Sequence, residues 1–357
     1  MRIQALHFSD VGPLLDRRFD FTDDWTGEIG ARLLFSGPNG CGKTTVLRAV
    51  SMLWDAAGAW LDHRKILPKA SPVREWLQRW GGVAMVLGDT GFAGLDNKPV
   101  GLIFGDTDWC AKLMADCPDV QWLGESVART GKPGNPKRDI YLPTGDWLQA
   151  WADARKKMIL AFDATTLPNV IFMDAEERRW VAPKRNVGDN LAELPSLRWS
   201  PRYVATEDWR GQLEASLINL KVTAPKKFFH VLGELNAFLV GKQIESDIKP
   251  GENRLRVKLT EQRGKFHTLD ELSAGEHQVL IVLYLIARWA ERGYLVLIDE
   301  PDLYLHPSLI SGLLSRIETM VDELGGQLLI TSHIPEVWTR FESIGRRIDL
   351  GAEREQG

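Results

Sequence analysis

The sequence predicts an α/β chain: a mixed β-sheet core flanked by helices, interrupted by a less regular α+β region. Three observations carry this expectation. First, the apolar run Arg32-Leu33-Leu34-Phe35-Ser36, the glycine-rich stretch Gly37-Pro38-Asn39-Gly40-Cys41-Gly42-Lys43-Thr44 and the helical pattern from Thr45 to Val50 read as strand, loop and helix. Second, Leu295-Val296-Leu297-Ile298 is a continuous apolar run, the pattern of a strand buried on both faces of a parallel sheet. Third, Met1 to Phe8 and Arg18 to Phe21 alternate apolar and polar residues around a turn at Asp10 to Pro13, which adds a half-buried β element.

The remaining elements follow in order. A helix is expected from Thr44 to about Trp54 and a short amphipathic one at Val73–Trp80. Val83–Leu87 and Val100–Phe104, separated by glycine-rich turn material, read as a hairpin. Asp106 to Leu160 is the least regular region, with a turn-rich basic loop at Gly131 to Arg138 and a helix from Gly145 to Leu160. Asn169–Met173 reads as a strand, and Glu176 to Pro201 is polar. Helices are expected at Thr206–Leu220 and Lys226–Val240, then a strand at Leu255–Leu259 and a helix from Gly275 to about Glu291. Tyr294–Ile298 is a strand, Ser308–Leu324 an amphipathic helix and Gln327–Ile330 the last buried strand, with only a short tail after His333. The chain shows no internal repeat and no long heptad run.

Composition narrows the function classes. The 357 residues are 44% hydrophobic and 26% charged, as in ordinary soluble globular proteins. A net charge of −4 argues against a dedicated nucleic-acid coat without excluding a local basic surface. Cys41, Cys110 and Cys117 lack metal-ligand spacing and fit a reduced compartment. His7, His63, His230, His267 and His306 share no spacing that argues for a metal site. The N-terminus has no signal-peptide core, and the longest apolar run, Val279 to Ala287, falls well short of the roughly 20 residues of a membrane span. The expectation is a cytoplasmic protein without a membrane partner.

The glycine-rich stretch fits the phosphate-binding pattern G-x-x-x-x-G-K-[ST] at every fixed position. Glycines let the backbone wind closely around an anion, and the helix N-terminus adds partial positive charge. Gly37, Pro38, Asn39, Gly40, Cys41, Gly42, Lys43, Thr44 and Thr45 are therefore the candidate nucleotide-binding residues. Lys43 supplies a point charge for the β- and γ-phosphates, and Thr44 an Mg²⁺ ligand. Asp299 and Glu300 close the apolar strand at 295–298. Asp299 is the second candidate metal residue and Glu300 the candidate general base. Ser273 suits an N-cap and Glu276 its capping-box partner at the start of the next helix.

Phosphate loop, Leu272-Ser273-Ala274-Gly275-Glu276, acidic strand end, then Thr331-Ser332-His333 is an order that resembles ABC-class ATPases. The resemblance implies a P-loop NTPase of ABC-ATPase type. Residues 1–53 and 268–357 would form its discontinuous core, and 54–267 an inserted lobe with a helical subdomain leading to the signature motif. It implies that Ser273 and Gly275, in the segment similar to the signature, complete the nucleotide pocket of a second protomer. His333 would contact the γ-phosphate in cis, and Asp302 falls in the segment that crosses the dimer interface. The class's glutamine loop has no placed counterpart. The start of the chain and Asp299-Glu300-Pro301-Asp302-Leu303-Tyr304-Leu305-His306-Pro307 are similar to RecF-like and OLD-like ATPases, here without a coiled coil or a TOPRIM nuclease half.

That branch implies an ATP- and Mg²⁺-dependent ATPase that dimerises, or assembles further, around ATP. It would act as a clamp or sensor on DNA or a separate effector protein, with bacterial anti-phage defence as its setting, and cut nothing itself. The alternative is the nucleotide-binding subunit of a membrane ABC transporter. A third is a regulatory nucleotide binder that scarcely turns over. Arg178, Arg179, Lys184, Arg185, Lys132, Lys137 and Arg138 could reach nucleic-acid phosphates or form solvated charged loops. Most of the 14 tryptophans are expected in the core, with a partner surface as the other use.

Overall fold

The computed structural model describes residues 1–92, 95, 98–128, 137–160, 167–182, 195–206, 213–249, 254–262 and 264–351. The alternating N-terminal stretch forms β1 (Arg2–Ser9), which turns into antiparallel β2 (Arg17–Asp20). β3 (Arg32–Ser36) leads through the glycine loop into α1 (Lys43–His63). α1 continues past Trp54 because its apolar face does: Trp54, Ala57, Trp60 and Leu61 are all buried. It ends at Arg64 in the left-handed conformation. α2 (Pro72–Leu77) follows, capped by Ser71, and β4 (Gly82–Gly88) pairs antiparallel with β5 (Val100–Asp106) as the expected hairpin.

The stretch expected to be least regular is ordered into α3 (Thr107–Asp116), β6 (Gln121–Val127), β7 (Arg138–Tyr141) and α4 (Asp146–Leu160). β6 escapes a sequence reading because its interior holds glycine, glutamate and serine. Gly124 is required by close approach, since a Cβ there would overlap the Ile103 carbonyl oxygen. Glu125 is fully buried but accepts the Leu67 N–H (2.8 Å) and pairs with Arg138, which also donates to the Leu67 carbonyl (3.1 Å). Arg138, read from the sequence as a nucleic-acid contact or a solvated loop residue, therefore points inward and is neither.

Next come β8 (Val170–Met173), α5 (Leu213–Thr223), α6 (Pro225–Asn236), β9 (Lys242–Ile244), β10 (Arg256–Leu259) and β11 (Phe266–Thr268). α7 (Ala274–Trp289), β12 (Leu295–Ile298), α8 (Pro307–Glu323) and β13 (Gln327–Thr331) match the expected succession. α9 (Pro335–Ile344) and β14 (Arg346–Asp349) then replace the short tail, so β13 is not the last strand. β14 is charged because it is an edge strand, and charge at an edge blocks further pairing.

The strands form three sheets, ordered β2-β1-β4-β5-β6-β7, β11-β10-β9 and β14-β3-β13-β12-β8. Every pairing in the last is parallel. Strand periodicity divides its side chains between two cores. Leu33, Phe35, Leu295, Leu297 and Leu329 pack with α1, whereas Leu34, Val296, Ile298, Leu328 and Ile330 pack with α7 and α8. Residues 82–141 supply four strands of the first sheet, beside β1 and β2, and 170–173 the edge strand of the parallel sheet, whose β3, β12 and β13 lead into the motifs.

The tryptophans are mostly core, as expected. Trp54 stacks on Trp199 with centroids 4.1 Å apart, and each indole N–H donates to the other residue's carbonyl. Among the described tryptophans, Trp25, 96% exposed, is the exception that remains available to a partner.

His7 on β1 is buried, and its burial pushes its pKa down to about 4. The unfolded chain then takes up a proton that the fold resists. Stability is expected to fall as pH drops from 6.5 through 4, by up to about 3 kcal/mol from this group. Urea unfolding at pH 7 and pH 4.5 checks this. His7→Phe should have a smaller acid loss than wild type, and equal losses would remove His7 as the cause.

Candidate nucleotide site

The phosphate loop lies where β3 ends, at the edge from which α1 departs. Gly42, the N-cap of α1, has φ 104°, and a Cβ there would lie 2.7 Å from Leu14 Cδ2, so conformation and space both demand glycine. Pro38, Asn39 and Gly40 are exposed, Gly37 and Cys41 buried, and Thr44 and Thr45 half-buried on the first helical turn. The Lys43 ammonium, 6% exposed, donates to the carbonyls of Gly37 (2.9 Å) and Pro38 (3.1 Å). The charge thus sits within the loop's own curve.

β12 is flanked by parallel β13 and β8, and the Asp299 N–H donates to the Met173 carbonyl (2.9 Å). The buried Asp299 carboxylate accepts from Thr44 Oγ1 (2.8 Å) on one oxygen and from Thr331 Oγ1 (2.6 Å) on the other. Thr331 ends β13 and also accepts the Glu300 N–H (2.9 Å). Glu300 has φ +47°, a conformation a non-glycine residue adopts only where its surroundings hold it. Its carboxylate lies 2.9 Å from His333 Nε2, and both side chains remain partly open to solvent. Asp302, two residues on, has its pKa raised by burial, opposed by a hydrogen bond with Ser332.

These groups fit Mg·ATP. The first N–H groups of α1 have no intrahelical acceptor and no side-chain cap, which leaves them for anionic oxygens. The Thr44 hydroxyl and Asp299 carboxylate meet as hard oxygen donors of the kind Mg²⁺ takes.

Ser273 caps α7 as expected. Its Oγ accepts the Glu276 N–H (3.3 Å), while Glu276 Oε2 accepts the Ser273 N–H (2.8 Å), a reciprocal capping box. Lys242 pairs with Glu276 at 2.8 Å. A Cβ on Gly275 would stand 3.2 Å from the Tyr304 carbonyl oxygen, so α7 begins against the turn that follows Glu300. Lys43, Thr44, Asp299, Glu300 and His333 therefore gather at the ends of the parallel strands, whereas Ser273 and Gly275 make their contacts with Glu276 and the 300–305 turn.

Arg178 corrects a sequence expectation. It is 1% exposed and cannot reach nucleic acid. Its guanidinium donates to the carbonyls of Asp299 (2.6 Å), Glu300 (2.7 Å) and Met173 (3.3 Å) and to Gln278 Oε1 (3.1 Å). Burial lowers its pKa to about 10, against the raising effect of Asp299, Asp174, Asp302 and Glu300. Arg179 and Lys137 are exposed, while Lys132, Lys184 and Arg185 lie outside the described residues. The end of β8, beside Asp299, carries Asp174 rather than a glutamine. Asp174 pairs with Arg48, one turn along α1 from Thr44. Sequence reasoning named Thr331 only within the Thr331-Ser332-His333 segment and gave it no role of its own, and it missed Asp174 and Gln278, because each takes its meaning from a partner far along the chain.

Among the described residues there is no helix long and apolar enough to cross a membrane, and no cluster of three His, Cys, Asp or Glu residues that could hold a metal. A family model described as "AAA domain, putative AbiEii toxin, Type IV TA system" matches residues 191–338, less than half of the chain, spanning the Ser273 segment, the acidic strand end and His333. No curated protein matches the chain. Among solved structures, the SMC head domain from Thermotoga maritima aligns at 14% identity and a TM-score of 0.42, covering 98% of this chain and 94% of that one. An SmcHead bound to the C-winged helix domain of ScpA aligns at 12% identity and a TM-score of 0.48, covering 94% and 90%.

Proposed function

We propose, from the premise that the chain is an ABC-class P-loop ATPase of the SMC/RecF-like type, that it hydrolyses Mg·ATP and uses ATP-dependent pairing of two copies to control a separate effector protein or DNA. The observation that carries the reading is the contact chain Thr44–Asp299–Thr331–Glu300–His333 at the edge that bears the phosphate loop. Lys43 and the loop N–H groups hold the phosphates. Thr44 and Asp299 would hold Mg²⁺, which would supply positive charge to offset that of the phosphates. Glu300 takes the proton of the water that attacks the γ-phosphorus as the bond to the β-phosphate oxygen breaks. His333 orients Glu300 before nucleotide arrives and then turns to the γ-phosphate.

One observation supports the paired arrangement. Ser273 and Gly275 start a helix, where N–H groups attract phosphate, yet they have no part in this chain's own Thr44–His333 contacts. They would complete the site of a second copy. The description of the matching family as a putative toxin of a type IV TA system supports a separate effector or antitoxin partner; an anti-phage setting in the cytoplasm is the further part of this reading.

Mixing two variants tests the pairing. Gly275→Arg, with an intact phosphate loop, should bind ATP as a monomer and fail to hydrolyse it. Lys43→Ala has an intact signature. A mixed dimer contains one site built from two intact halves, so partial recovery of hydrolysis on mixing is expected. No recovery in demonstrated mixed dimers would count against shared sites. Melting curves of Gly275→Arg control for its contact with Tyr304, and Ser273→Ala should cost only about 1 kcal/mol of stability as a lost cap.

A further inference from the structure

Arg178 occupies a position that the phosphate loop and acidic strand do not explain. It is fully buried, yet among the described residues no carboxylate pairs with its guanidinium within hydrogen-bonding distance. The fork is spent on backbone carbonyls and one amide. Two of those carbonyls belong to Asp299 and Glu300, so the side chain braces the backbone of both functional carboxylates from behind. The Glu300 carbonyl also accepts the Leu303 N–H (3.1 Å), and the Glu300 N–H is held by Thr331. The left-handed turn at Glu300 is therefore pinned on both sides of its Cα.

The other end of the brace is α7. Gln278 accepts from Arg178 Nε and donates its amide back to the Arg178 carbonyl, and both residues are buried. Gln278 lies one turn beyond Ser273 and Gly275, and Gly275 itself abuts the Tyr304 carbonyl in the turn that Glu300 opens. The start of α7 thus reaches the Glu300 turn by two routes, one of contact and one through Arg178.

We propose that Arg178 is a positioning residue that, with Gln278, ties the start of α7 to the backbone of Glu300 and fixes where the general base points. The inference rests on Glu300 being that base. Lysine retains the charge but cannot span three carbonyls and an amide with a planar fork. Arg178→Lys should leave ATP affinity and KM unchanged and lower kcat by about 10²-fold, the scale of a displaced catalytic group. In nucleotide-free protein the amides of residues 300–305 should exchange with deuterium at least about tenfold faster, while those of α1 stay protected. Gln278→Met should do the same to a smaller degree, and it serves in place of Arg178→Lys if the lysine variant fails to fold.

A double variant separates a positioning role from a packing role. In a Glu300→Gln background there is no base left to misplace, so Arg178→Lys should then lower kcat by less than about twofold. Full additivity, equal loss of ATP affinity, or unchanged exchange at 300–305 overturns the inference. A Glu300→Gln variant that turns over at the wild-type rate sinks the base assignment instead. Wild-type kcat in Arg178→Lys beside a slow Glu300→Gln sinks only the role of Arg178.

Discussion

Glu300→Gln is expected to bind Mg·ATP as tightly as wild type and to hydrolyse it about 10²- to 10⁴-fold more slowly. The amide keeps the length and planarity of the side chain and loses its basicity. Its backbone should not move, because the Glu300 N–H is held by Thr331 and its carbonyl by Arg178, neither of which the substitution touches. Wild type presents Glu300 to His333 at 2.9 Å, and the amide oxygen can still accept from that ring. Titration calorimetry checks binding, and phosphate release under saturating ATP checks turnover. A variant with wild-type turnover assigns the base elsewhere. The ATP-bound form should also accumulate as a dimer or larger assembly by light scattering, since the reset step has been removed.

Lys43→Ala should lose ATP binding itself. The ammonium is buried in the loop between the Gly37 and Pro38 carbonyls, so it is placed before nucleotide arrives and needs no reorganisation to meet phosphate. A charge-assisted hydrogen bond to a phosphate contributes up to about 3 kcal/mol, which is roughly a 150-fold change in affinity. The variant also leaves the two carbonyls that lined the ammonium without their donor. Calorimetry with Mg·ATP should show binding weakened by about 10²-fold or more, with hydrolysis lost in parallel. Unchanged affinity would remove the phosphate loop from the site. The Asp299 contacts with Thr44 and Thr331 are independent of Lys43, so the variant should stay folded with a modest loss in melting temperature from the two unpaired carbonyls.

The residue order alone determined the phosphate loop, the acidic strand end and the cap at Ser273, and the structure places all three on the elements expected. Each is a local device: a loop of glycines, a run of apolar residues ending in carboxylates, a hydroxyl three residues from a glutamate. Their physics is complete within about ten residues, so it can be read in a line. The parallel setting of β12 was likewise foreshadowed by its continuous apolar run, whereas the order of the strands around it was not.

Tertiary structure decided the rest. β6 looks like a loop until Ile103 and Arg138 explain its glycine and glutamate, and β14 looks like a charged tail until it pairs beside β3. Arg178 carries the same charge as exposed Arg179 next to it. Only the fold sends one into the core behind Asp299 and Glu300 and leaves the other in water. A buried polar group must find its partners wherever the fold brings them, and for Arg178 three of the four partners, Gln278, Asp299 and Glu300, lie 100 or more residues away along the chain. That distance is why the site's oxygens and loop were legible in the sequence while the brace that holds them was not.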